Sequence, residues 1–247
     1  LVIQKIKEMK ERFNLGGIRF DDECFGASKK WAIEFCKAIK PLNLIWVVAA
    51  MRVDSVNPEI LSLMREAGCR SITYGIESGS DQMMKVMEKK ATAAESLNAL
   101  KWTADAQMFS VPQLVLAMPG ENVETLKESE DFLYEAGKSS VNYDPIHLVA
   151  NFTQALPGTP VYEFARSVGL LKSGSDAEED YLMAMSDRDA ARWSMNFTEM
   201  PHFIMEYWRA RLSYTQQTAY IREFGRKEFH RRFYQWHSIY DVFKMMV

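Results

Sequence analysis

Apolar spacing makes the chain open on a helix. In "LVIQKIKEMKERFN", Ile3, Ile6, Met9 and Phe13 fall on one helical face, with no capping residue ahead of them. "GGIRF" (16–20) then reads as a short buried strand after a glycine helix stop. "SKKWAIEFCKAI" from Ser28 is a capped helix with Trp31, Phe35 and Ile39 as its stripe. "LIWVVAA" (44–50) is an unbroken apolar run, the pattern of a strand covered on both faces. "PEILSLMREAG" from Pro58 has proline at its start and glycine at its end, as helices prefer.

The alternation continues. "RSITYGI" (70–76) is a strand followed by a short helix, and "AAESLNALKWTADAQ" from Ala93 is a longer helix. "PQLVLAM" (112–118) predicts another buried strand, and "NVETLKESEDFLYEAG" predicts a helix capped by Asn122. "IHLVANF" (146–152) closes the series. Repeated strand–helix units imply parallel strands joined by right-handed crossovers, in a barrel or a doubly wound sheet. Polar residues and glycines gather after four strands: "DDE" after Phe20, "RVD" after Ala50, "ESGS" after Ile76 and "PGE" after Met118. A barrel brings all its C-terminal strand ends to one site, whereas a doubly wound sheet uses a single switch point. The expected fold class is therefore α/β, a partial βα (TIM-like) barrel of parallel strands with a C-terminal helical extension.

Past "ALPGTPVYEFARSVG" the pattern changes. We place a boundary near residue 168, with a partial barrel over 1–168 and a mainly helical extension over 169–247. Residues 172–190 read as an acidic loop, with Asp176, Glu178, Glu179 and Asp180 clustered. From Pro201 onward aromatics and arginines recur at helical spacing, with eight Lys/Arg against four Asp/Glu in 201–247. Most simply this is a helical appendage with a solvated basic face. Alternatively Trp193, Trp208, Tyr214 and Trp236 cover a flat or hydrophobic substrate.

Composition narrows the function classes. At 247 residues, with 47% hydrophobic and 26% charged residues, the chain has the make-up of a globular protein with a sizeable core. A net charge of −3 gives no general attraction to nucleic acid or anionic membranes. No run approaches the roughly 20 apolar residues of a transmembrane segment. Cys24, Cys36 and Cys69, odd in number and widely spaced, argue against a disulfide framework and suit a cytoplasmic protein. As packing residues they are small buried hydrophobes.

Taken in order, "IRFDDECF", "VVAAMRVD", "YGIESGS", "MEKKAT", "AMPGENVET" and "ALPGTPVYE" resemble the radical S-adenosylmethionine (SAM) superfamily. They are most similar to the subgroup with a cobalamin-binding domain ahead of the radical SAM domain. The similarity covers residues 1 to about 165. It implies a barrel around SAM and a [4Fe-4S] cluster, with cobalamin bound upstream. It also implies a small-molecule or lipid-like substrate and an electron donor such as a flavodoxin or ferredoxin.

The resemblance carries over residue by residue. Glu77 stands where such enzymes hold the ribose hydroxyls of SAM, a task for which a carboxylate suits two neighbouring hydroxyls. Ser78 would assist from the same strand end; the packing alternative, a capping cluster for the helix "SDQMM", accounts for Ser80 but leaves Glu77 idle. Asp21 and Asp22 fall near the place of the methionyl ammonium, and which of them makes the contact is open. Arg52 would serve the methionyl carboxylate or a substrate acid. Lys89 matches the basic residue of the family's M-x-K/R-x-x-T pattern and would also suit that carboxylate, or is a surface lysine. Ala117, Pro119 and Gly120 would bring backbone close to the adenine, with Ala117 in place of a glycine common in relatives. "PGTP" (157–160) fixes the entry to the last barrel helix.

The family's C-x-x-x-C-x-x-C loop, whose three thiolates hold the cluster, is absent, and Cys24, Cys36 and Cys69 are too far apart to replace it. The expectation is that loop and cobalamin domain lie upstream of Leu1, so that this chain alone is inactive. Full length, it would reductively cleave SAM and start radical chemistry, such as methyl transfer or cyclisation. Two other readings stand beside this one. A barrel lyase or aldolase would use a lysine or a carboxylate with no SAM-like partners, and no strand end supplies a convincing Schiff-base lysine. A degenerate, non-catalytic barrel would be a binding or interaction module.

Overall fold

In the computed structural model, residues 1–22, 25–171, 174, 176–185 and 195–232 are described. Helix α1 (Val2–Phe13) leads into β1 (Gly17–Phe20), and α2 (Lys29–Ile39) into β2 (Ile45–Met51). Helix α3 (Pro58–Glu66) then precedes β3 (Cys69–Glu77), α4 (Asp81–Val86) and α5 (Ala93–Asp105). Next come β4 (Phe109–Leu116), α6 (Val123–Lys138) and β5 (Val149–Phe152). Helices α7 (Pro160–Ser167), α8 (Asp176–Met185) and α9 (His202–Phe224) follow. The five strands are all parallel and lie in sequence order, β1 to β5, curling into a half-barrel with helices around it. The α/β partial barrel expected from the sequence is the fold. All C-terminal strand ends consequently open on one side.

Helix starts follow the caps in the sequence. Ser28 accepts from Trp31 N–H, Asn57 from Ile60 N–H and Asn122 from Glu124 and Thr125 N–H, each satisfying donors the helix leaves open. Ends follow less closely. Helix α1 stops at Asn14 in the left-handed region (φ 50°), two residues before the glycine expected to stop it. Strand β4 begins three residues earlier than expected and contains Pro112, which lies just ahead of Gln113, the first residue paired with β5. Strand β5 begins three residues late. The buried Asp144 carboxylate accepts the Ile146 and His147 N–H groups at 2.9 and 3.3 Å, diverting them from the sheet.

The core fills the space between strands and helices around Trp46, Ile72, Tyr74, Leu114 and Leu133, all fully buried. Trp46 keeps its indole N–H satisfied through the Ala67 carbonyl, at 2.8 Å. Helix α9 joins this core through Met205, Trp208, Leu212 and Tyr220, so Trp208 is a packing residue, while Tyr214 is exposed. Gly137 lets α9 approach α6 closely: a Cβ there would lie 2.4 Å from the Gln216 carbonyl oxygen. Trp193 and Trp236 lie outside the described residues.

The acidic stretch expected as loop contains helix α8. Its first-turn Asp176, Glu178 and Glu179 complement the positive end of the helix dipole. Glu178 accepts from Tyr162 Oη at 2.6 Å and from Gly174 N–H at 2.6 Å, tying α8 to α7 over a small cluster of Ala155, Tyr162, Ala165, Leu171 and Tyr181. Among the described residues no helix is long and apolar enough to cross a membrane.

Candidate functional site at the strand ends

Four strand ends carry the residues singled out above, and the structure uses them differently. After β1, Asp21 is exposed and ion-paired with Arg19 at 2.7 Å; Asp22 beside it is exposed too. After β2, the Arg52 guanidinium forks onto Asp54, with Nε–Oδ1 at 2.9 Å and Nη2–Oδ2 at 2.6 Å. That guanidinium holds the Asp54 carboxyl below the usual carboxylate range. The pair is half-exposed, so its contribution to stability is small, about 0–1 kcal/mol.

The end of β3 is the most organised. Pairing with β4 slips between Gly75 and Glu77, inserting Ile76 as an extra residue, and Glu77 takes φ +72°. A bulge re-aims the side chain after it. The Glu77 carboxylate folds back over Gly75, where an added Cβ would lie 3.0 Å from Oε1. Lys89, in the turn after α4, donates to the same Oε1 at 2.8 Å; the two side chains are 19% and 35% exposed. Oε2 has no donor among the described residues. A half-buried carboxylate with one oxygen held by Lys89 has its other oxygen available as an acceptor.

Ser78 is turned the other way. Its Oγ lies 3.2 Å from Ser129 Oγ of α6 and accepts Ser80 N–H at 3.1 Å, deep in the interface with α6. Ser80 caps α4, as its sequence position suggested, by accepting Met83 N–H.

At the end of β4, Ala117 is buried with φ +64°, a conformation that strains any L-residue. Both of its backbone groups are used: the N–H donates to Glu121 Oε2 at 2.5 Å and the carbonyl accepts Phe197 N–H at 3.0 Å. Pro119 is half-buried, and Gly120 (φ +84°) is exposed at the tip of the turn. The sequence reading passed over Glu121. It is buried, and burial pushes its carboxyl up to about 7 against the backbone N–H groups of Ala117 and Met118 that favour the anion. Its signal was the carboxylate of "PGE", one of the polar groups gathered at the strand ends.

Among the described residues, Cys36 and Cys69 do not fit an iron–sulfur cluster. Cys36 and Cys69 are buried in the core; burial pushes the Cys36 thiol up to about 11 and Cys69 higher, whereas cluster ligands must be thiolates. Cys24 lies outside the described residues. No group of three or more His, Cys, Asp or Glu among the described residues is arranged for a metal ion.

Comparison with known proteins agrees with the fold. Residues 3–133 match the radical SAM superfamily. The chain is 29% identical over 174 residues to an uncharacterized methyltransferase of Pyrococcus horikoshii, covering 69% of this chain and 36% of that protein. It is 24% identical over 174 residues to the anaerobic magnesium-protoporphyrin IX monomethyl ester cyclase of Cereibacter sphaeroides, covering 67% of this chain and 28% of that one. It thus spans about a third of the length of such relatives. Among solved structures, the radical SAM methyltransferase TsrM of Kitasatospora setae, with cobalamin and a [4Fe-4S] cluster bound, superposes with a TM-score of 0.55 at 17% identity. That match covers 67% of this chain and 31% of TsrM. A parallel half-barrel with its polar residues at the strand ends, matched over more than half its length, makes this chain a member of the radical SAM superfamily.

Proposed function

We propose that this chain is the SAM-holding part of a radical SAM enzyme. The observation that carries the reading is Glu77, a half-buried carboxylate at the mouth of the barrel with Oε1 held by Lys89 and Oε2 open. Two vicinal hydroxyls of a ribose are donors that such a carboxylate accepts without having to be reorganised. Lys89 holds the carboxylate in place, and its remaining N–H donors suit the carboxylate of the methionyl group. Asp21 and Asp22, exposed at the neighbouring rim, supply negative charge for the methionyl ammonium. Arg52 is engaged with Asp54 and must release or share that partner to reach an acid. The turn at Ala117, Pro119 and Gly120 is held rigid from beneath by Glu121, so it offers the adenine a shaped surface through Pro119 and Gly120 more than through the Ala117 backbone.

A reduced [4Fe-4S] cluster beside bound SAM would supply the electron for reductive cleavage, and no described residue of this chain fits that cluster. TsrM holds cobalamin as well as the cluster, and the relatives are named as a methyltransferase and a cyclase. Methyl transfer with cobalamin bound upstream, or ring closure, is accordingly the reaction class proposed, on a small-molecule or lipid-like substrate and with a flavodoxin- or ferredoxin-type electron donor. The full-length protein, reduced with dithionite under anaerobic conditions, is expected to release methionine and 5′-deoxyadenosine or a methylated product from SAM. Full-length protein with cluster incorporated that consumes no SAM would refute the proposal and favour a non-catalytic barrel.

A further inference from the structure

Glu77 is aimed by a backbone that few residues adopt. A non-glycine residue at φ +72° persists only where its surroundings over-determine it. The three residues after it supply that restraint, and they are anchored on α6. Gly79 N–H donates to Ser129 Oγ at 3.1 Å, and the same Oγ meets Ser78 Oγ at 3.2 Å. Ser80 N–H donates to Ser78 Oγ at 3.1 Å, and the Ser80 hydroxyl donates to Glu128, one residue from Ser129. Ser78, Ser80 and Ser129 are all buried. Gly79 sits so close to α6 that a Cβ would lie 2.6 Å from Phe132 Cβ and 2.7 Å from Ser129 Cα. Ser129 is the hub: one hydroxyl fixes both the Ser78 side chain and the Gly79 backbone.

We propose that Ser129 is a positioning residue for ligand binding, clamping the Ser78–Ser80 turn onto α6 so that the Glu77 carboxylate stays aimed at the ribose hydroxyls of SAM. This inference rests on the assignment of Glu77 above. The same clamp reaches Lys89, because Ser80 starts α4 and the Lys89 N–H bonds back to the Met84 carbonyl of that helix at 2.9 Å. One hydroxyl cluster therefore sets both members of the Glu77–Lys89 pair. Removing the Ser129 hydroxyl leaves a backbone N–H and a serine hydroxyl buried without their partner, an arrangement the turn escapes by moving. Glu77 then relaxes toward ordinary backbone and its carboxylate leaves the mouth. Ser129 as mere packing would change stability and leave the folded protein's affinity alone.

A double-mutant cycle tests this. SAM is titrated calorimetrically into the full-length protein as wild type, Glu77→Gln, Ser129→Ala and the double variant, at a temperature where circular dichroism shows each folded. Each single substitution is expected to weaken binding about tenfold, and the double variant to bind no worse than Glu77→Gln, since Ser129 acts through the carboxylate. Unchanged affinity in Ser129→Ala, or losses that multiply to about a hundredfold in the double variant, would overturn the positioning role while leaving Glu77 as the acceptor. Wild-type affinity in Glu77→Gln would bring down both assignments together. Should Ser129→Ala not fold, Ser78→Ala removes the other half of the contact, with the same expected pattern and the same refutations.

Discussion

Glu121 offers a prediction whose size follows from its surroundings. Its carboxyl is buried at the end of β4, and burial raises it from 4.5 to about 7. The folded state therefore binds a proton more tightly than the unfolded chain does. By linkage, this group's contribution to stability is fully present below about pH 4.5, and is lost as pH rises through about 7. At 1.36 kcal/mol per pH unit the window amounts to about 3 kcal/mol. Glu121→Gln keeps an acceptor for the Ala117 N–H and removes the titration. Denaturant unfolding of wild type and variant at pH 5, 6, 7 and 8 isolates the term, because every other titrating group cancels in the difference. The wild type should lose about 2–3 kcal/mol relative to the variant between pH 5 and pH 8. A difference that stays flat, or that moves in favour of the wild type as pH rises, would show that the carboxyl is solvated and that the turn is not held from beneath.

Other substitutions probe the frame. Gly79→Ala drives a Cβ to 2.6 Å from Phe132 and 2.7 Å from the Ser129 backbone, which cannot yield, so a loss of at least about 2 kcal/mol is expected in thermal or denaturant unfolding. Arg52→Met breaks a half-exposed pair and should change stability by less than about 1 kcal/mol, an effect that shrinks further at high salt. Cys36 and Cys69 should resist alkylation at pH 8 in the native protein and react once denaturant is added, as peptide mapping by mass spectrometry would show.

Much of this architecture is legible in the residues because the signals are local. Ser28 and Asn122 mark helix starts through side-chain bonds to the next turn, Pro58 opens another helix, and "LIWVVAA" is an apolar run that suits a covered strand. What sequence did not reveal depends on partners far along the chain. Ser78 and Glu77 are neighbours, yet one faces α6 and the other the mouth, because of a bulge and a close approach at Gly79 that only the packed α6 dictates. Glu121 reads only as one polar residue of "PGE" until the β4 end folds over it. The acidic stretch reads as loop because charge density hides a helix whose stability comes from Tyr162 and Tyr181 across a small cluster.

The proposed role of the Glu77 carboxylate as acceptor for the ribose hydroxyls is tested directly by one titration. The affinities of SAM and of its 2′-deoxyribose analogue are measured against wild type and Glu77→Gln in the full-length protein. A hydrogen bond to a charged group is worth about 1.5–3 kcal/mol against about 1 for a neutral one. The wild type should therefore prefer SAM by about tenfold to a hundredfold, and Glu77→Gln should keep a preference of only about fivefold. An equally large preference for the 2′-hydroxyl in both proteins would place the ribose elsewhere and contradict the assignment.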